Sequence, residues 1–191
     1  MLEHHSSSSV KERIFIVKIA ERLFSSSQDV SAGIWTYGYS NNRILKIKDD
    51  TMCHNFKDFS KEVDSTMQIQ NAKKLRIDND RVISVINSCH DKYRHANCLV
   101  FFSGVNDISV WKKKSELKEG DGYQKLNMTR DAGIRRLVAV SLKSVDFIDI
   151  VIPPVGIAVK ASANYSDDDV VKVVEAILGE STRSRITDKN L

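Results

Sequence analysis

The chain has 191 residues, 41% hydrophobic and 28% charged, with 8 Gly and 2 Pro; this composition excludes a disordered or fibrous protein and suits one globular domain with a sizeable core. Its 29 basic and 25 acidic residues leave a net charge of +4 spread along the sequence, which permits a nucleic-acid partner without indicating one. No stretch nears the roughly 20 consecutive apolar residues of a membrane helix, and no apolar signal-peptide core follows Met1.

In chain order, Val10, Ile14, Ile16, Val17, Ile19, Ala20, Leu23 and Phe24 form a broad stripe at helical spacing, which predicts a helix over residues 10–24 that packs on a sheet. Ser25-Ser26-Ser27 breaks it. Residues 30–39 are rich in β-branched and aromatic side chains and close on Ser40-Asn41-Asn42, predicting a strand with both faces in use. Residues 43–48 mix Ile44, Leu45 and Ile47 with basic residues, the pattern of an edge strand.

Phe56, Phe59, Val63 and Met67 predict a short amphipathic helix over 54–67, and Val82, Val85, Ile86 and Cys89 predict another over 81–93. Asn97-Cys98-Leu99-Val100-Phe101-Phe102-Ser103-Gly104 then reads as a buried strand whose carboxyl end opens into a ligand-facing loop. Residues 105–119 read as a polar loop or partial helix, and 122–132 as weakly helical before Gly133. Two further continuous apolar strands follow at 136–142 and 156–161, with Pro153-Pro154 marking the turn between them. Ser166 is placed to cap a final helix whose first turn holds Asp167, Asp168 and Asp169, where carboxylates meet the positive end of the dipole, and Gly179 ends it.

Alternating helices and near-continuous apolar strands call for an α/β fold, a doubly wound, mostly parallel three-layer sheet of Rossmann-like type covered on both faces. Ligands of such sheets bind beyond the carboxyl ends of the strands. Ser40, Ser103 and the segment from Ser141 to Ser144 fall at or near such ends.

Three cysteines, Cys53, Cys89 and Cys98, show no zinc-site spacing, and their disulfide state is open. Catalytic signatures are missing: there is no nucleophile elbow, phosphate loop, dinucleotide fingerprint or zinc-protease motif. Lys118-Glu119-Gly120-Asp121-Gly122 follows no apolar strand and reads as a turn. Asn127-Met128-Thr129 and Asn164-Tyr165-Ser166 match the N-glycosylation acceptor pattern, usable in a secreted chain.

The order of these pieces resembles the von Willebrand factor type A domain. The likeness runs from about Ser6 to Gly179: a Ser-rich turn before the first helix, Ala32-Gly33-Ile34-Trp35-Thr36-Tyr37 where the family has a V-G-h-h-x-[FY] strand, the strand ending at Gly104, the unit from Gly133 to Ser141, and the Asp-led closing helix. It implies that residues 1–9 are the remnant of a first strand and its Ser-rich turn, 10–179 the domain, and 180–191 a polar tail. With so few residues before the serines, the natural chain is expected to begin upstream of Met1 and to supply that strand.

Cation-binding members of the family use an Asp-x-Ser-x-Ser turn, a Thr from a second loop and an Asp after the fourth strand, because Mg2+ prefers hard oxygen ligands in near-octahedral geometry. Ser7 and Ser9 keep the serine spacing, Thr66 is the nearest threonine, and Asp107 or Glu3 are the nearest acids. His5 stands where the first Asp is wanted and Ser103 where the second is. Losing both carboxylates removes the charge that holds the cation, so the resemblance implies a degenerate site with no Mg2+ or other cofactor.

The function expected on this basis is a non-enzymatic, extracellular adhesion or interaction module. Its protein ligand, a matrix, receptor or other cell-surface protein, is met through Ser7, Ser9, Ser40, Ser103 and Asp107, without membrane insertion or nucleic acid. Two alternatives stand beside it. One is a doubly wound, hydrolase-like enzyme with Ser103 or Cys98 as nucleophile and His54, His90 or His95 as base. The other is a basic adaptor that contacts glycosaminoglycan or nucleic acid through Arg94 and Lys112-Lys113-Lys114, with binding that falls steeply with salt.

Overall fold

A computed structural model describes residues 3–35, 38–39, 52–67, 76–77, 96–111, 125–126 and 134–179. In chain order the elements are α1 (Glu3–Ser26), β1 (Gly38–Tyr39), α2 (Phe56–Thr66), β2 (Arg76–Ile77), β3 (Cys98–Ser103), β4 (Arg136–Ser141), β5 (Gly156–Lys160) and α3 (Asp167–Leu178), with short 3-10 helices at Ile108–Trp111 and Ile148–Ile150.

The two-sided apolar stripe of α1 has a structural cause, because the helix serves two cores. Phe15, Ile19 and Leu23, at steps of four, face the parallel sheet, while Ile16, Ala20 and Phe24 meet Phe59 and Val63 of α2. Helix α1 begins at Glu3, so a helical backbone runs through residues 3–9 where the sequence leads to a strand remnant and a Ser-rich turn. Nothing in 3–26 stops it: the segment has no Pro or Gly, and serine tolerates a helix already nucleated by packing farther along. It ends at the expected serines, where Ser25 and Ser26 donate their hydroxyls to the carbonyls of Glu21 and Leu23, both at 2.7 Å.

The three long apolar runs form a parallel sheet in the order β3-β4-β5. Cys98 pairs with Arg136 through to Ser103 with Ser141, and Leu137 pairs with Gly156 through to Ser141 with Lys160. Side chains alternate between two buried faces. Val100, Phe102, Val138, Val140 and Val159 pack with Phe15, Ile19, Tyr165, Val170 and Val173 under α1 and α3. On the opposite face Phe101, Leu137 and Ala139 pack with Leu126, Phe147, Ile150 and Val151, contributed by loop and 3-10 segments. Both faces being covered explains why these strands read as continuous apolar runs. Gly156 opens β5 because a Cβ there would stand 2.7 Å from the backbone nitrogen of Ile152.

Helix α2 is capped by Asn55, whose Oδ1 accepts from the Asp58 N–H at 2.9 Å. Ser166 and Asp169 form a reciprocal capping box at the start of α3, and Gly179 closes it in the left-handed conformation.

The expected strand over 30–39 is corrected. Ala32 forms an isolated antiparallel bridge with Cys53, the backbone leaves strand geometry through Trp35, and β1 pairs antiparallel with β2 away from the parallel sheet. Apolar side chains of this stretch are used in packing instead: Ala32 and Ile34 cover the α1–α2 core. Among the described residues no strand earlier than β3 joins the parallel sheet. The predicted edge strand at 43–48, the helix at 81–93, the tail at 180–191 and Ser40 lie outside the described residues; of the predicted helix at 122–132 only Lys125 and Leu126 are described, and they are not helical.

Candidate functional site

The carboxyl ends of β3, β4 and β5 bring together chain segments distant in sequence. Ser103 and Ser141 are register partners whose side chains share the Phe101 and Ala139 face, and they are 2% and 0% exposed. The hydroxyl of Ser141 has no hydrogen-bond partner among the described residues. Gly104 follows Ser103 with open space where a Cβ would stand.

Asp107 lies beyond this edge and is exposed. Its carboxylate is engaged locally: Oδ1 accepts from the Ser109 N–H at 2.8 Å and Oδ2 from the Ser109 hydroxyl, an Asx-type turn that starts the 3-10 helix.

A second group of polar residues borders the same edge on the α1 side. Tyr165 donates its hydroxyl to the Leu142 carbonyl at 3.0 Å and stacks on Phe15 with ring centroids 5.1 Å apart. Burial, and then the charge and hydrogen bond of Glu12, push its phenol up to about 12. Glu12 also faces Lys143 at 3.8 Å. Asp169, 2% exposed, accepts from the backbone N–H groups of Ser162 and Ser166 at 3.1 and 2.9 Å and from both serine hydroxyls. Burial works to raise its carboxyl, and the Ser162 and Ser166 hydrogen bonds outweigh it, holding it below the ordinary value. The sequence pattern identifies Ser166 and the aspartates as a cap, but no local signal ties Glu12 or Lys143 to Tyr165.

Of the expected ligand residues, Ser103 stands at the strand end and Asp107 in the loop beyond it. Ser7 and Ser9 lie on the helical backbone of α1. Thr66 closes α2, whose buried side chains Phe59 and Val63 belong to the α1–α2 core rather than to the sheet cores. Among the described residues no three His, Cys, Asp or Glu side chains form a group able to hold a metal ion.

Among the described residues the catalytic candidates are not assembled either. Cys98 opens β3 and Ser103 ends it, so the two nucleophile candidates sit at opposite ends of the strand, about 16 Å apart at 3.3 Å per residue. Burial pushes the Cys98 thiol up to about 11 against the lowering effect of Arg136, leaving negligible thiolate at neutral pH. His54 is exposed in the loop before α2, and no described histidine hydrogen-bonds to Ser103. His90, His95, Arg94 and Lys112 to Lys114 lie outside the described residues. No described helix is long and apolar enough to cross a membrane.

Comparisons with protein-family models, curated proteins and solved structures returned no match. What stands is a parallel three-stranded α/β sheet with flanking helices and a carboxyl edge lined by buried serines.

Proposed function

We propose that the chain is a non-enzymatic interaction module of von Willebrand factor type A kind. It binds an extracellular matrix or cell-surface protein through the carboxyl edge of its sheet, without a resident cation. The observation that carries this reading is Ser103: a buried hydroxyl, beside buried Ser141, where cation-binding members of that family present a carboxylate. Supporting it, the nearest acid, Asp107, is already engaged by Ser109. Two serines alone supply too little negative charge to hold a divalent cation. The hydrolase alternative has less support, because the Cys98 thiol is held protonated and Ser103 has no histidine partner among the described residues.

Calorimetric titration with Mg2+, Mn2+ and Ca2+, paired with capture on immobilised matrix proteins, tests the reading. The expected result is no stoichiometric cation heat, with saturable capture that a chelator leaves unchanged. Stoichiometric cation binding abolished by Ser7→Ala or Ser9→Ala overturns the cation-free site. Ester hydrolysis lost in Ser103→Ala overturns the non-enzymatic function.

A further inference from the structure

The loop between β5 and α3 carries the Asn164-Tyr165-Ser166 triplet, and its three side chains are sorted by the fold. The Tyr165 N–H donates to the Ser162 carbonyl at 3.2 Å, closing a turn in which Asn164 is the third residue. Tyr165 stands at φ 50, in the left-handed region, and its ring is buried against Phe15.

 With Tyr165 turned into the core, Asn164 and Ser166 on either side are exposed. The Asn164 carboxamide makes no hydrogen bond to any described residue.

We propose that Asn164 is an N-glycosylation site, carrying an N-linked oligosaccharide at the rim of the sheet's carboxyl edge; this rests on the extracellular reading above. In the transfer, Asn164 Nδ2 attacks the anomeric carbon of a polyprenyl-pyrophosphate-linked oligosaccharide. A C–N bond forms, the C–O bond to the pyrophosphate breaks, the lipid pyrophosphate leaves with the electron pair, and one amide proton passes to a base of the transferase. The acceptor pattern requires the hydroxyl of Ser166. In the folded chain that hydroxyl is bonded to the Asp169 carboxylate at 2.9 Å, so transfer precedes closure of the α3 cap. Ser166 thus serves twice, first in the acceptor and then as the cap. The exposed turn accommodates the bulky product without disturbing Tyr165 or the core.

The test uses the native protein purified from its own source, with the fraction that yields it recorded. Digestion with peptide N-glycosidase in heavy-oxygen water, then trypsin, releases the peptide 161–172 for sequencing. Position 164 read as heavy-oxygen aspartate supports the proposal. Intact Asn164 in protein from the secreted fraction overturns the site and leaves the extracellular reading in place. Intact Asn164 in protein found in the cytosol alone overturns both. In cells that secrete the chain, Asn164→Gln and Ser166→Asn are each expected to lose one oligosaccharide and Ser166→Thr to keep it. An unchanged glycan mass in Asn164→Gln overturns the site.

Discussion

Arg136 donates from Nη1 to the carbonyl oxygen of Ile177 at 2.6 Å, fastening the last turn of α3 to the first residue of β4. The guanidinium supplies a positive charge at the negative end of the helix dipole. Gly179 follows at φ 76, and a Cβ there would collide with that guanidinium. Gly179→Ala is therefore expected to cost about 1–2 kcal/mol for the left-handed backbone alone, and more for displacing Arg136. In an Arg136→Ala background the collision is gone, so urea unfolding should find the double variant more stable than the summed single effects predict. Strict additivity would show that the two residues are not coupled.

Asp169 links the β5–α3 turn to the helix cap, and its carboxyl is held below the ordinary 3.8. A carboxylate with a depressed folded pKa contributes stability at pH above 3.8 and loses it as pH falls below that value through the folded pKa. Asp169→Asn is expected to cost about 1–3 kcal/mol at neutral pH by weakening the bonds from Ser162 and Ser166. Denaturant titrations at falling pH should show the gap to the parent narrowing below 3.8.

Tyr165 responds at the opposite end of the pH scale. Its folded pKa is raised from 10.0 to about 12, so its contribution is complete below 10.0 and is lost as pH rises towards about 12. Ultraviolet difference titration of the parent against Tyr165→Phe should find this phenol ionising above the ordinary 10.0. Glu12→Gln should lower its midpoint, with burial preserving part of the shift. Tyr165→Phe, which leaves the Leu142 carbonyl without its donor, is expected to cost about 1 kcal/mol at neutral pH.

The sheet was legible because both its faces are buried: Leu99, Val100, Phe101 and Phe102 are apolar without alternation, as only a covered strand requires. Ser166 and Gly179 were equally legible, since capping depends on residue type within one turn. Residues 30–39 misled because a β-branched side chain such as Ile34 suits packing against α1 and α2 as well as it suits a strand. The serines at 6–9 misled because a turn-favouring composition does not stop a helix nucleated elsewhere. The joining of Glu12 to Tyr165 and of Ser103 to Ser141 depends on tertiary placement and leaves no local pattern.

Cys98 should behave as an inert core thiol. With its pKa raised to about 11, mainly by burial, alkylation by iodoacetamide at neutral pH is expected to be slow in the folded protein and to reach the rate of an ordinary thiol after unfolding. Peptide mapping of the alkylated protein separates Cys98 from Cys53 and Cys89. Rapid native labelling at Cys98 would reopen the nucleophile reading.

Ser141 supplies a test of the packing beneath the carboxyl edge of the sheet. Its hydroxyl is fully buried without a partner among the described residues, so it contributes a desolvation cost and no compensating hydrogen bond. Ser141→Ala is expected to raise stability by about 1 kcal/mol, measured as a higher urea midpoint at unchanged slope. A variant that is destabilised instead would mean that Ser141 has a partner in the folded state.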